Sequence, residues 1–152
     1  ELSLAHAPEE EELFIFNIDT VLYNFEKDGK RGEVAGYLEV FKGDGTHWSF
    51  VEPSLDRPGY AARVVEKERI SDLCSNGLYY FASVRIFVNA LDAYRLKYQG
   101  VAGEIYVAPL LNELVESGLS VSYKLVSAGE IGFCGVPDEY VELCAHFADF
   151  PR

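Results

Sequence analysis

Methionine is absent from the 152 residues, and the chain is therefore expected to be a processed product or an excised piece of a longer polypeptide. Cysteine is scarce: Cys74, Cys134 and Cys144 are too few and too far apart for a disulfide framework or a four-ligand zinc site. They read as small buried hydrophobes in a reduced, cytoplasmic setting, with Cys134 in an apolar run and Cys144 on the apolar face of a helical pattern. His6, His47 and His146 share no spacing that suggests metal ligation. Positive charge is in short supply, with 13 basic against 25 acidic side chains and a formal net charge of -12. Phosphate contacts need clustered Lys and Arg, so the composition argues against a nucleic-acid partner and against an anionic membrane. No apolar run approaches the ~20 residues of a membrane helix, and no basic-then-apolar signal pattern occurs at the start. G-x-G-x-x-G, G-x-x-x-x-G-K-[ST], G-x-S-x-G and H-E-x-x-H are all missing.

What is present is a globular composition, 49% hydrophobic, 14% aromatic and 25% charged. The length suits one domain, and a chain of this size buries roughly 70% of its unfolded surface. Residues 1–12 read as an acidic, solvated leading segment and 13–150 as the domain. Leu13 to Ile18 is a short apolar run, as expected of a strand buried on both faces. Asn24 to Gly32 is a loop. Strand-like segments at Glu33–Phe41, Trp48–Glu52 and Tyr60–Glu66, separated by Lys42–Gly45 and Asp56–Gly59 turns, predict a meander. Ser75–Phe81 and Val121–Val126 add strands.

Ser83 reads as an N-cap for a helix with Val84, Phe87, Val88, Leu91 and Tyr94 on one face, closed by Gly100. Pro109 is expected at the first position of a second helix whose face is Leu110, Leu111, Leu114 and Val115, stopped by Gly118. Pro137 opens a third, with Asp138 and Glu139 in its first turn and Tyr140, Leu143, Cys144 and Phe147 as its buried stripe. The class is α/β, with a mixed, mostly parallel sheet flanked by helices.

Three local signals bear on chemistry. Asn17-Ile18-Asp19 ends an apolar strand, where an Asp can hold Mg²⁺ against a substrate phosphate or simply begin a turn. Glu66-Lys67 ends another strand inside a run of charges that equally suits a solvated surface. Adjacent strand residues point to opposite faces, so these two can meet one ligand only if the strand ends or kinks between them. Gly135-Val136-Pro137 introduces an acidic helix. The run Phe16 to Leu22 also resembles the first motif of haloacid-dehalogenase-type phosphatases, but that chemistry needs a nucleophilic Asp where this chain has Asn17.

Taken in order, Asn17-Ile18-Asp19, Phe41 with His47-Trp48-Ser49-Phe50, Val65-Glu66-Lys67 with Ile70-Ser71, Asn76-Gly77-Leu78-Tyr79-Tyr80-Phe81, Gly103-Glu104-Ile105-Tyr106-Val107 and Gly135-Val136-Pro137 resemble the second half of a sugar-phosphate nucleotidyltransferase, the nucleotide-sugar pyrophosphorylase family. The similarity runs from about Leu13 to about Leu143. It looks closest to the bacterial branch associated with capsule and surface-glycan synthesis.

The resemblance implies a partial Rossmann-like fold whose N-terminal nucleotide-binding half, with its glycine-rich triphosphate loop, is absent. It implies transfer of a nucleoside monophosphate from a nucleoside triphosphate to a sugar 1-phosphate, giving a nucleotide sugar and pyrophosphate. Asp19 matches the family's Mg²⁺-binding catalytic aspartate and Lys67 the cation that meets the sugar's phosphate. Glu66 matches the carboxylate that binds sugar hydroxyls, Ser49 a position whose backbone approaches the sugar, and Asn76 and Gly77 the segment that walls the pocket. The parent is expected to be a cytoplasmic enzyme and this piece alone inactive; stripping neighbouring strands from Leu13–Ile18 predicts a homo-oligomer. Many relatives carry an Asp where this chain has Phe133, which motivates the alternative of a degenerate, non-catalytic regulatory or interaction domain.

Overall fold

The structure, a computed structural model, describes residues 8–99 and 103–146. His6, Gly100 and Phe147 lie outside the described residues, as do the side chain of His146 and the ends of the 1–12 segment and the 13–150 domain. The strands are β1 (Leu13–Phe16), β2 (Thr20–Leu22), β3 (Gly36–Lys42), β4 (Ser49–Pro53), β5 (Ala61–Glu66), β6 (Leu73–Phe81), β7 (Val121–Leu125) and β8 (Ile131–Phe133). The helices are α1 (Val84–Lys97), α2 (Val107–Glu116) and α3 (Pro137–His146).

The main sheet runs β5-β4-β6-β3-β7, and β1 shares with β4 the edge of β6 that β3 leaves open. The sheet is mixed, as expected, but not mostly parallel. Among the described strands only β3 and β7 pair in parallel; β1, β3 and β4 all run antiparallel to β6, and β4 to β5. Chain connectivity gives the reason. A parallel neighbour needs a long crossover, and among these pairs only β3 and β7 are separated by the helical segment.

The expected meander is also corrected, because β6 lies between β3 and β4. Phe41 and Phe50 both pair with Cys74, so β4 begins level with the end of β3 and runs in the same direction. The turn after β3 thus carries the chain across the start of β6 instead of reversing it. Strand β1 is an edge strand, half-buried with Phe16 exposed, and Ile18 is 101% exposed. The expectation of burial on both faces fails: Leu13, Phe14 and Ile15 are only half-buried, and among the described strands β1 pairs with β6 only.

Alternation along β3 and β6 divides the core. Leu38, Val40, Tyr79 and Phe81 pack with Leu110, Leu111, Leu114 and Ala90 under α1 and α2. Tyr37 and Tyr80 stack on the other face with ring centroids 4.9 Å apart, next to Phe14. That face is covered by the 23–32 loop, whose Lys27 ammonium sits over the Phe14 ring. The α1 and α2 helices therefore flank this sheet on one side, with the 23–32 loop and the β2–β8 ribbon on the other.

Ser83 caps α1 as read, its Oγ accepting the Ile86 N–H at 3.2 Å. The acidic leading segment adds two caps, since Glu11 and Glu9 carbonyls accept the Val84 and Arg85 N–H groups. Helix α2 starts at Val107, placing Pro109 third instead of first, still inside the turn whose N–H groups have no helical partner. After it, Gly118 and Leu119 N–H groups bond to the Val115 and Leu114 carbonyls, closing the C-terminus as expected. On α3 only part of the apolar stripe turns inward: Leu143 is buried, whereas Tyr140 and Cys144 are exposed. Cys134 is half-buried and Cys74 buried. Helix α3 packs on the small β2–β8 ribbon, which covers fewer of its faces than a full sheet would.

Candidate functional site

A cleft of about 440 Å³ opens between the main sheet and the β2–β8 ribbon, a volume suited to a small ligand. Asp19, Ser49, Glu66, Asn76 and Gly77 all line it. Lys67 stands at the rim, hydrogen-bonded to the lining residue Tyr106.

The first wall comes from β4, β5 and β6. Ser49 and Glu66 are cross-strand partners at the ends of β4 and β5, and the Ser49 hydroxyl donates to Glu66 Oε2. Tyr79 OH lies 3.2 Å from Ser49 Oγ. Burial pushes the Tyr79 phenol up, so it stays protonated beside the carboxylate. Glu66 retains only 16% side-chain exposure. One of its oxygens is thus fixed from behind.

β5 ends at Glu66, and Lys67 has a left-handed backbone with φ 55°. That reversal meets the condition set by strand geometry: the two side chains no longer diverge by alternation, and Lys67 Nζ comes to 3.8 Å from Glu66 Oε1. Lys67 N–H donates to the Trp48 carbonyl at 2.9 Å, which secures the kink. The ammonium donates to Tyr106 OH at 2.9 Å, and that hydroxyl donates to Glu104 Oε2 at 2.8 Å. The Tyr106 hydroxyl, followed by the charges of Glu66 and Glu104, holds Lys67 above its ordinary pKa.

The second wall is a bulge in β6. Leu38 pairs with Tyr79 and Val40 with Ser75, so Asn76, Gly77 and Leu78 oppose Glu39 alone. Gly77 has φ +89°, and a Cβ there would stand 2.6 Å from Asn17 Cγ. Only glycine fits this conformation at this closeness. Both ends of the Asn76 amide are engaged inside the protein: Oδ1 accepts from Leu78 N at 3.0 Å and Nδ2 donates to Glu39 Oε2 at 3.1 Å.

The third wall is the ribbon. β2 and β8 pair antiparallel with Thr20 opposite Phe133, and Cys134 N–H donates to the Asp19 carbonyl at 2.9 Å. A Cβ on Gly135 would lie 3.1 Å from Asp19 Oδ2 and 3.6 Å from Glu139 Oε2, so both carboxylates approach this glycine closely. Glu139 Oε2 accepts the Gly135 and Val136 N–H groups at 3.0 and 3.2 Å. Phe133 packs on Trp48 at 5.0 Å and Phe41 at 5.3 Å between ring centroids. An apolar seam thereby fixes the ribbon to the sheet.

Among the described residues no three His, Cys, Asp or Glu side chains converge as a metal cage. The exposed Asp19 carboxylate in the cleft suits the other arrangement common for Mg²⁺, one protein carboxylate completed by substrate phosphates and water.

Sequence reasoning assigned no role to Glu39, Tyr79, Glu104, Tyr106 or Glu139. Glu39 carries a visible signal, a lone carboxylate amid the aromatic and aliphatic residues of β3. Tyr106 and Glu104 fall within the quoted Gly103–Val107 segment, but their link to Lys67 crosses thirty-nine positions of sequence.

No protein-family model and no curated protein matches the chain. Among solved structures it is similar to the nucleoside-diphosphate-sugar pyrophosphorylase of Vibrio cholerae RC9, with 38% identity and a TM-score of 0.84, over 93% of this chain and 60% of that one. The fold is that of a sugar-phosphate nucleotidyltransferase. Two more distant nucleotidyltransferases share it. The inositol-1-phosphate CTP transferase of T. maritima matches 90% of this chain and 54% of its own, with 14% identity and a TM-score of 0.62. A candidate glucose-1-phosphate thymidylyltransferase of Bacillus anthracis, solved in complex with a sucrose, matches 94% and 57%, with 13% identity and a TM-score of 0.65. The chain therefore spans only 54–60% of the length of these nucleotidyltransferases. Among its described residues no helix is long and apolar enough to cross a membrane.

Proposed function

We propose that the chain is the sugar-phosphate-binding part of a nucleotidyltransferase that joins a nucleoside monophosphate to a sugar 1-phosphate, releasing pyrophosphate. The observation that carries this reading is that Asp19, from the turn before β2, and Glu66, at the end of β5, line one cleft, with Lys67 at the rim. In this reaction a sugar-phosphate oxygen attacks the α-phosphorus in line; the new O–P bond forms as the bond to pyrophosphate breaks, with no covalent enzyme intermediate.

Glu66 accepts hydrogen bonds from sugar hydroxyls, which are charge-assisted and orienting. Ser49 holds that carboxylate in place before the sugar arrives. Lys67 exchanges its bond to Tyr106 for the sugar's phosphate. Asp19 would hold Mg²⁺, which supplies positive charge to the phosphates when bound. On a chain at net -12 these local cations must overcome a repulsive field, so binding depends on salt. The same reading puts the product in surface-glycan synthesis, of the capsule type, and the enzyme in the cytoplasm.

The 152 residues hold no glycine-rich triphosphate loop, so the chain by itself is expected to bind but not to turn over. Glucose 1-phosphate titrated into the chain should shift cleft resonances at millimolar concentration, and Glu66→Ala should move the titration to higher concentration. Robust pyrophosphate release with any common triphosphate would refute the division of labour. Phe133, an apolar ring on the ribbon wall, favours a second reading as a non-catalytic interaction module. Absence of sugar-phosphate binding would select that reading.

A further inference from the structure

Glu39 is a carboxylate in the middle of a strand whose first six residues are buried, and is itself 2% exposed. A buried carboxylate without partners is costly. Here both oxygens are engaged: Oε1 accepts from Lys124 Nζ on the neighbouring strand β7 at 3.1 Å, and Oε2 from Asn76 Nδ2 at 3.1 Å. Lys124 is tied down by a second bond, to the Glu26 carbonyl at 2.6 Å. Replacing a buried ion pair by apolar side chains is often neutral or stabilising, so stability alone is a weak account of this arrangement. Geometry supplies another. Asn76, gripped by Glu39, begins the bulge, and its Oδ1 holds Leu78 on the far side of Gly77. The Gly77 carbonyl is thereby presented to the Asn17 N–H at 3.1 Å, and Asp19 follows two residues on.

We propose that Glu39, held by Lys124, is a positioning residue for the sugar-phosphate site: by clamping Asn76 it maintains the bulge that walls the cleft and sets where the turn bearing Asp19 stands. The inference rests on the functional reading above for its consequence in binding, and on the structure for the clamp itself.

The test uses the 152-residue chain and two readouts, amide hydrogen exchange at Asn17, Gly77 and Leu78, and affinity for glucose 1-phosphate. Glu39→Gln/Lys124→Met keeps an oxygen that can accept from Asn76 and removes the ammonium that the new amide N–H₂ would otherwise face. The double variant Glu39→Leu/Lys124→Met removes both charges and keeps the core filled. Glu39→Leu/Lys124→Met should fold, exchange at Gly77 and Leu78 about ten-fold faster or more, and bind glucose 1-phosphate about ten-fold more weakly, while Glu39→Gln/Lys124→Met stays within about three-fold of the parent. A folded Glu39→Leu/Lys124→Met variant with unchanged exchange at the bulge overturns the proposal, and so does fast exchange with unchanged affinity. Should that variant not fold, Asn76→Ala, which cuts the same clamp while leaving Glu39 paired with Lys124, must show both changes or the proposal fails. If the unsubstituted chain binds no glucose 1-phosphate, the functional reading falls together with the binding half of this inference; the exchange readout then decides the clamp alone.

Discussion

Gly77→Ala puts the architecture of the bulge to a quantitative test. The new methyl would lie 2.6 Å from Asn17 Cγ and Nδ2 and 2.8 Å from its Cβ, on a backbone at φ +89°. A left-handed conformation costs an L-residue roughly 1–2 kcal/mol. The Asn17 Cβ cannot swing away by side-chain rotation, so the main chain must withdraw; overpacking of that kind adds roughly 1–3 kcal/mol. The Asn17 N–H to Gly77 carbonyl bond goes with it, at about 1 kcal/mol. The sum is roughly 3–6 kcal/mol, a large share of the roughly 5–15 kcal/mol that stabilises a typical domain.

Gly59 supplies the control. Its φ is +82°, but an added Cβ would meet only the mobile Lys30 Nζ, at 2.7 Å, so Gly59→Ala should cost only the backbone term, roughly 1–2 kcal/mol. Urea unfolding at constant slope measures both. Asn17→Gly in the Gly77→Ala background should recover the overpacking share as a coupling of roughly 1–3 kcal/mol. Equal losses at Gly77 and Gly59, or no coupling with Asn17, would refute the reasoning.

Four further outcomes are expected. Lys67→Gln should weaken binding of glucose 1-phosphate but not of glucose and should flatten the salt dependence, whereas Glu66→Ala should weaken both ligands; calorimetric titrations at low and high salt separate the two. Asp19→Asn should remove the gain in pyrophosphate affinity brought by Mg²⁺ and leave metal-free sugar-phosphate binding unchanged. Burial, then the hydrogen bond to Glu12 and its charge, push the Tyr80 phenol from 10.0 up to about 12. The neutral form is thus favoured in the fold, so its contribution is complete below pH 10 and lost as pH rises to about 12, amounting to at most roughly 3 kcal/mol. Tyr80→Phe should flatten the stability curve across that window in denaturant titrations. Finally, β1 is bonded to β6 and no other described strand, so light scattering at high concentration should show dimers or larger species.

Much of the helical structure was legible because its signals are local. Ser83 and the spacing from Val84 to Tyr94 specify α1, and the cluster of leucines before Gly118 specifies α2. The order of the sheet was not, since the residues of β3 alternate identically whether β4 or β6 lies beside them. β2 and β8 have three residues each, too short for a period to show. The exposure of Tyr140 and Cys144 depends on how much surface the ribbon offers α3, which no spacing encodes. At the site, the order of motifs brought Asp19, Ser49, Glu66, Asn76 and Gly77 to one cleft. Glu39 escaped notice because its partners, Asn76 and Lys124, lie 37 and 85 positions away.

The aromatic seam of Phe41, Trp48 and Phe133 joins two pieces of very different size, a broad sheet and a ribbon of two short strands. The cleft is thus bounded by a large jaw and a small one, and the ring at position 133 acts as the shim between them. Trimming that ring would change the gap without touching any group assigned to the ligand, which makes it a natural handle for retuning acceptor size.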